Sequence, residues 1–144
     1  MKIFTLIISA ALLSVSFNTC KRNPATADDR PLVDTKWDLQ SFEVVGDGKS
    51  DIGSEGIYLI FKEDSAFKGR SSTNSYYGTY KISENYSIFI SKPRTTKVGY
   101  PPGSRYGEYY DALKDAQEFQ LMGDRLRIFY ESKTKVLHFK AEEP

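Results

Sequence analysis

Cysteine occurs once in the 144 residues, at Cys20. A single cysteine excludes an intrachain disulfide and any metal cage built from cysteines. Histidine and tryptophan also occur once each, at His138 and Trp37. Neither sign of charge is in excess, with Lys plus Arg at 20 and Asp plus Glu at 19. Loss of Lys2 with an N-terminal leader would balance the two, so no global charge draws the chain to nucleic acid. No apolar run reaches the ~20 residues a membrane-spanning helix needs. There is no Gly-x-Ser-x-Gly elbow, Ser-x-x-Lys pair, phosphate loop, zinc spacing or dinucleotide fingerprint. The carboxylates are scattered, and no acid/base pair can be assigned among them. His138 lies between Leu137 and Phe139; their inward alternation turns it to solvent or to the far face of its sheet. The sequence names no partner to orient it as a general base. The expectation is a protein with no enzymatic activity, cofactor or metal.

What is present begins with a leader. Met1-Lys2 precedes an apolar run from Ile3 to Leu13, then Ser14 to Thr19 and Cys20. A basic start, a short apolar core and small polar residues beyond it make a signal peptide over 1–19. The cysteine closing it resembles the lipobox of bacterial lipoproteins, with Phe17 and Thr19 in place of the usual Leu and small residue. That resemblance implies cleavage before Cys20 and lipidation there, hence a membrane contact through the lipid anchor; the alternative is plain secretion with a free thiol. Residues 20–33 hold Pro24, Pro31 and several charges, and read as a flexible tether. The domain is then 34–144.

Within it, aromatics are plentiful, with ten tyrosines and nine phenylalanines in the chain, which suits strands with one buried face. Residues 35–45 alternate imperfectly, predicting a strand with a bulge near Ser41 and with Trp37 plugging one end of the core. Gly46 to Asp51 reads as a turn. Ile57 to Lys62 predicts a strand with Ile57, Leu59 and Phe61 inward. Around a polar turn at Ser71 to Ser75, a strand over 65–70 pairs with one carrying Tyr76, Gly78 and Tyr80 on a single face. Gly78 leaves a notch between the two tyrosines, where another group can come close. Residues 86–92 predict a strand with Tyr86, Ile88 and Ile90 on one face. Residues 93–103, with three prolines and two glycines, form the longest irregular loop. Arg105 to Ala116 predicts one helix, with Tyr106, Tyr109, Tyr110 and Leu113 on its core face, Ser104 as N-cap and Glu108 in the first turns. Three strands over 118–122, 125–131 and 136–141 close the chain as a meander.

The order of these pieces resembles the META domain, the HslJ-like family of small bacterial envelope proteins. The resemblance rests on Thr35-Lys36-Trp37-Asp38-Leu39, Asn74-x-Tyr76-x-Gly78-x-Tyr80 and Thr95-Thr96. It continues through Glu108-x-x-Asp111-Ala112-Leu113 and Gly123-Asp124-Arg125-Leu126. It implies an α+β fold, a strongly curved antiparallel sheet approaching a barrel, with one late helix packed against it. It also implies that Trp37, Asn74, Tyr76, Gly78, Tyr80, Glu108 and Leu113 are structural. Relatives carry two cysteines where Thr73 and Tyr100 stand here, which implies a looser loop over 93–103 in this chain. Members are mostly lipoproteins or secreted proteins without an assigned reaction, some linked to stress tolerance.

Around that loop Lys92, Arg94, Lys97 and Arg105 concentrate positive charge beside Tyr100 and Tyr106. Arg94, Lys97, Tyr100 and Arg105 are therefore the candidate partner-binding residues, suited to an acidic protein of the envelope or to lipid head groups; the alternative is a solvated loop. Two functions follow: a non-catalytic envelope lipoprotein that binds a partner, or a carrier of a small hydrophobic ligand inside the curved sheet.

Overall fold

A computed structural model of the chain describes residues 29–52 and 55–143. Cys20 and the expected signal peptide lie outside the described residues. Ten strands run in chain order: β1 (Trp37–Val44), β2 (Gly48–Asp51), β3 (Tyr58–Phe61), β4 (Ala66–Ser71), β5 (Asn74–Ile82), β6 (Ile88–Ile90), β7 (Arg94–Thr95), β8 (Glu118–Met122), β9 (Arg125–Tyr130) and β10 (Lys135–Ala141). One helix, α1 (Tyr106–Lys114), lies between β7 and β8. The strand order β6-β5-β4-β3-β1-β10-β9-β8 is antiparallel throughout and curls into a barrel with one seam, between β6 and β8. A single bridge, Ser87 to Glu118, crosses that seam. The Ile88 N–H adds a bond to the Gln117 carbonyl at 3.0 Å. Helix α1 packs beside β6, and a 3-10 turn over Glu84–Tyr86 packs beside β8, covering edges that would otherwise be open.

The expected alternations are the ones that build the core. Leu59 and Phe61 of β3, with Ile57 just before it, are buried, as are Tyr76 and Tyr80 of β5 and Leu126, Ile128 and Tyr130 of β9. The β1–β10 register slips between Leu39 and Ser41, the anticipated bulge. Trp37 is fully buried and its indole N–H donates to the Leu32 carbonyl at 3.0 Å.

Four local expectations differ from the structure. Gly48–Asp51 is a strand rather than part of a turn, paired with Ser41 to Val44 of β1 while its own side chains stay exposed. Tyr86 belongs to the 3-10 turn at positive φ, so β6 begins at Ile88. Ser104 makes no cap: the first helical turn is capped by Glu55 instead, whose carboxylate accepts the Arg105 N–H at 3.0 Å. Residues 29–33, expected as the end of the tether, lie against the barrel. Arg30 N–H bonds the Gly123 carbonyl, Leu32 is buried and Val33 bridges Phe61.

Candidate interaction surface

Two glycines set the geometry on the inner side of β4 and β5. A Cβ on Gly69 would stand 2.1 Å from the Tyr58 carbonyl oxygen and 2.4 Å from the Tyr76 hydroxyl. Only glycine lets the Tyr76 ring pass over β4 to reach β3. There the Tyr76 hydroxyl donates to Tyr58 O at 2.7 Å and lies 2.6 Å from the Tyr109 hydroxyl of α1. Tyr76 has one proton to give, and the carbonyl can only accept it, so Tyr109 donates to Tyr76. Burial drives both phenols well above the usual tyrosine range. Gly78 is the second notch, with its Cβ position 2.6 Å from the Phe67 ring and 2.7 Å from Ser91 Oγ. Edge-to-face contacts join Tyr76 to Tyr109 and Tyr110, Tyr109 to Phe139, and Phe61 to Tyr80. The space inside the sheet is thus taken up by rings whose hydroxyls satisfy one another. Among the described residues no fully buried side-chain polar atom lacks a hydrogen-bond partner.

At the helix end of the barrel the expected site residues separate. Arg105 is committed: its guanidinium holds Glu108 through two bonds of 2.8 Å, reaches Ser50 Oγ at 2.9 Å and lies over the Phe42 ring at 4.0 Å. Glu108, read as a dipole partner, is the other half of that pair. Burial acts to raise the Glu55 carboxyl, but hydrogen bonds from Ser104, Ser72 and the Arg105 N–H outweigh it and hold it below its ordinary value. Tyr100 stacks on Tyr106 with ring centroids 3.1 Å apart. Arg94 and Lys97 stay exposed.

The loop over 93–103 is more ordered than the missing cysteines imply. Arg94 and Thr95 form β7 against Tyr77 and Tyr76 of β5. The buried Asn74 side chain then pins the next turn, donating to Val98 O at 2.8 Å and accepting from Val98 N–H at 2.7 Å and the Thr96 hydroxyl at 2.9 Å. Thr73 adds a bond to Gly99 O at 2.6 Å. These hydrogen bonds tie the loop to the β4–β5 hairpin.

His138 has the partner the sequence could not name. The bulge places it opposite Ser41, and its Nε2 bonds the Glu43 carboxylate on the outer face of β1. Desolvation lowers its pKa, Glu43 opposes this, and Lys49 and Arg127 add to the lowering. The pair is chemically an oriented imidazole, but among the described residues no third group is bonded to it to complete a relay. Among the described residues no cluster of three or more His, Cys, Asp or Glu could hold a metal ion.

The unpaired chemistry lies on the outer face of β4 to β7. These four strands contain no aspartate or glutamate. Their outward positions carry Lys68, Arg70, Lys81 and Arg94, all exposed. Register sets Tyr77 directly between Lys68 on β4 and Arg94 on β7, and Phe89 beside Lys81. Tyr77 is 55% exposed and Phe89 60%. Lys68, Lys81 and Arg94 make no ion pair with any described carboxylate. Arg70 spends only its Nε, on Ser72 O. A shallow depression of about 420 Å³ at the foot of the face is bordered by Asp34, Glu63 and Asp64, with Lys62 bonded to Asp34. Lys68 and Tyr77 line the same depression, so these acids stand beside one end of the face. Of the residues first singled out, Arg94 belongs to this face and Arg105 does not. Alternation within the strands was the signal for the rest: the residues between the inward tyrosines point out.

The family model of the META domain matches residues 30–143, and the chain belongs to that family. No curated protein matches it. Among solved structures it is similar to a DUF4847 family protein from Bacteroides vulgatus, at 18% identity and a TM-score of 0.61, over 78% of this chain and 96% of that one. It is also similar to a protein from Burkholderia xenovorans, at 17% identity and a TM-score of 0.66, over 86% and 96%. At these identities the likeness is one of fold.

Proposed function

We propose that this META-domain protein is a non-catalytic component of the bacterial cell envelope, lipid-anchored through Cys20, that works by surface contact with an anionic partner. That partner would be a neighbouring protein or an assembly that keeps the envelope intact under stress. The observation that carries this reading is the face of β4 to β7, with exposed cations and rings side by side and no carboxylate among them. Charged residues left unpaired across a whole face contribute little to folding, whereas tyrosine and arginine side by side are characteristic of contact surfaces. The carrier reading has less support, since Trp37, Phe61, Phe67, Tyr76, Tyr109 and Phe139 occupy the interior where a ligand would sit.

Two experiments test this. Cys20→Ala should move the protein from the membrane to the soluble fraction, because two or more acyl chains make attachment stable and none leaves it free. A photo-crosslinking side chain at Thr79, mid-face, should give a defined adduct in the native envelope, and the same group at Val45 should give none. Equal adducts at both positions would defeat the assignment of the surface.

A further inference from the structure

We infer that the anionic partner of the β4 to β7 face is the lipid surface to which the chain is anchored, so that the domain lies on its side against phosphate head groups. This rests on the lipid-anchored reading above and puts the bilayer, rather than a protein, against this face. The first argument is charge. Lys68, Arg70, Lys81 and Arg94 project from strands that contain no carboxylate, with Asp34, Glu63 and Asp64 at one end of the face, although the chain as a whole is nearly neutral. Each cation held near an anionic bilayer shifts the equilibrium about fivefold. The second is composition and shape. Tyr77 and Phe89 stand among those cations on the convex side of the barrel. Exposed rings flanked by long basic side chains suit the head-group boundary, where the ring enters and the charge stays in water. A convex sheet meets a deformable surface along its whole length, while a folded protein would need a matching hollow.

The third argument is the tether. Asp29 is already fixed, its carboxylate accepting the Gly123 N–H. From Cys20 to Asp29 the chain can span at most about 30 Å. Asp34 then borders the same depression as Lys68 and Tyr77. The anchor enters beside Gly123 in the β8–β9 turn, and a bilayer held within that reach is the anionic surface the face meets most often. Tethering raises the effective concentration of the second contact, so a weak face is sufficient. Glu63 and Asp64 share a depression with Lys68 and Tyr77 and weaken the contact on that side.

Lysine footprinting of the full chain, purified as it is found and reconstituted into vesicles, tests the placement. On phosphatidylcholine mixed with phosphatidylglycerol, acylation of Lys68 and Lys81 should slow several-fold, while Lys49 and Lys114 react as before. On phosphatidylcholine alone the difference should vanish, as it should at about 1 M salt, where the Debye length falls to about 3 Å. Equal rates at all four lysines on the anionic vesicles would overturn the inference. If soluble polyglutamate protects Lys68 and Lys81 but anionic vesicles do not, the partner is an acidic protein: the lipid placement fails and the surface-contact function stands. If neither protects them, both fail. The intact mass of the same sample reports the acyl chains, so loss of the anchor reading is scored separately.

Discussion

Tyr76 and Tyr77 are neighbours on one strand with the same side chain, and their surroundings share almost nothing. Tyr76 is 1% exposed and crosses over Gly69 to place its hydroxyl between a backbone carbonyl and Tyr109. Tyr77 is 55% exposed and stands between Lys68 and Arg94. The inward side of β5 is closed chemistry, with each polar group answered by another. The outward side is open, with charge and rings that the fold itself does not use. What folding does not consume is the natural place to look for function in a protein without a catalytic motif.

That contrast predicts a steep ranking of substitutions along two adjoining strands. Gly69→Ala should be the most damaging, at about 3 kcal/mol or more, because the new methyl meets backbone and cannot be accommodated by a rotamer change. Urea denaturation reads it. Gly78→Val should cost about 1–3 kcal/mol, since the first obstacles are the movable ring end of Phe67 and the Ser91 hydroxyl. A midpoint equal to the parent would mean that this notch is open.

Asn74→Ala should also cost about 1–3 kcal/mol, the penalty for leaving buried donors and acceptors unanswered. Its sharper signature is local. In the parent, the amides of Thr96 and Val98 should exchange slowly, being bonded to Ser75 O and to Asn74 Oδ1, while Lys97 exchanges fast. In the variant all three should exchange alike. Slow exchange at Val98 in both proteins would show that something other than Asn74 holds the loop.

A smaller effect is expected from His138. Its folded pKa lies below the unfolded value of about 6.5. The unfolded chain then binds the proton more readily, so the stability this residue contributes is present above that pH and lost as pH falls through the folded value. His138→Gln should flatten the stability profile between about pH 5 and 7. A parent profile that rises on acidification would mean that Glu43 outweighs burial. Smallest of all, Arg94→Ser with Lys97→Ser should alter stability by no more than about 0.5 kcal/mol, while weakening anionic contacts most at low salt.

Much of the inner side was legible in the sequence, because burial imposes a period. The alternation of Tyr76, Gly78 and Tyr80, the inward Ile57, Leu59 and Phe61, the slip near Ser41 and the tyrosine stripe of the helix all follow from it. The features that escaped have no period. Strand β2 is fully exposed, so nothing in Gly48-Lys49-Ser50-Asp51 marks it, and only its backbone pairing with β1 makes it a strand. Glu55 caps α1 from 50 residues away, and Glu43 reaches His138 across 95; neither distance can be read along a chain. Arg105 looked available because it closes a loop that also carries Lys92, Arg94 and Lys97, and it is the distant Phe42 and Ser50 that engage it along with Glu108. The outer face was half legible: Arg94 was singled out, but its neighbours Lys68 and Tyr77 come from pairing.

The central claim is that this domain acts with its outside and keeps its inside for folding. Native mass spectrometry of the protein released gently from its own envelope addresses both halves at once. The account predicts the chain from Cys20 onward plus acyl chains, anionic companions that dissociate as salt is raised, and nothing further when the barrel is unfolded. A stoichiometric apolar molecule freed only on unfolding would contradict it.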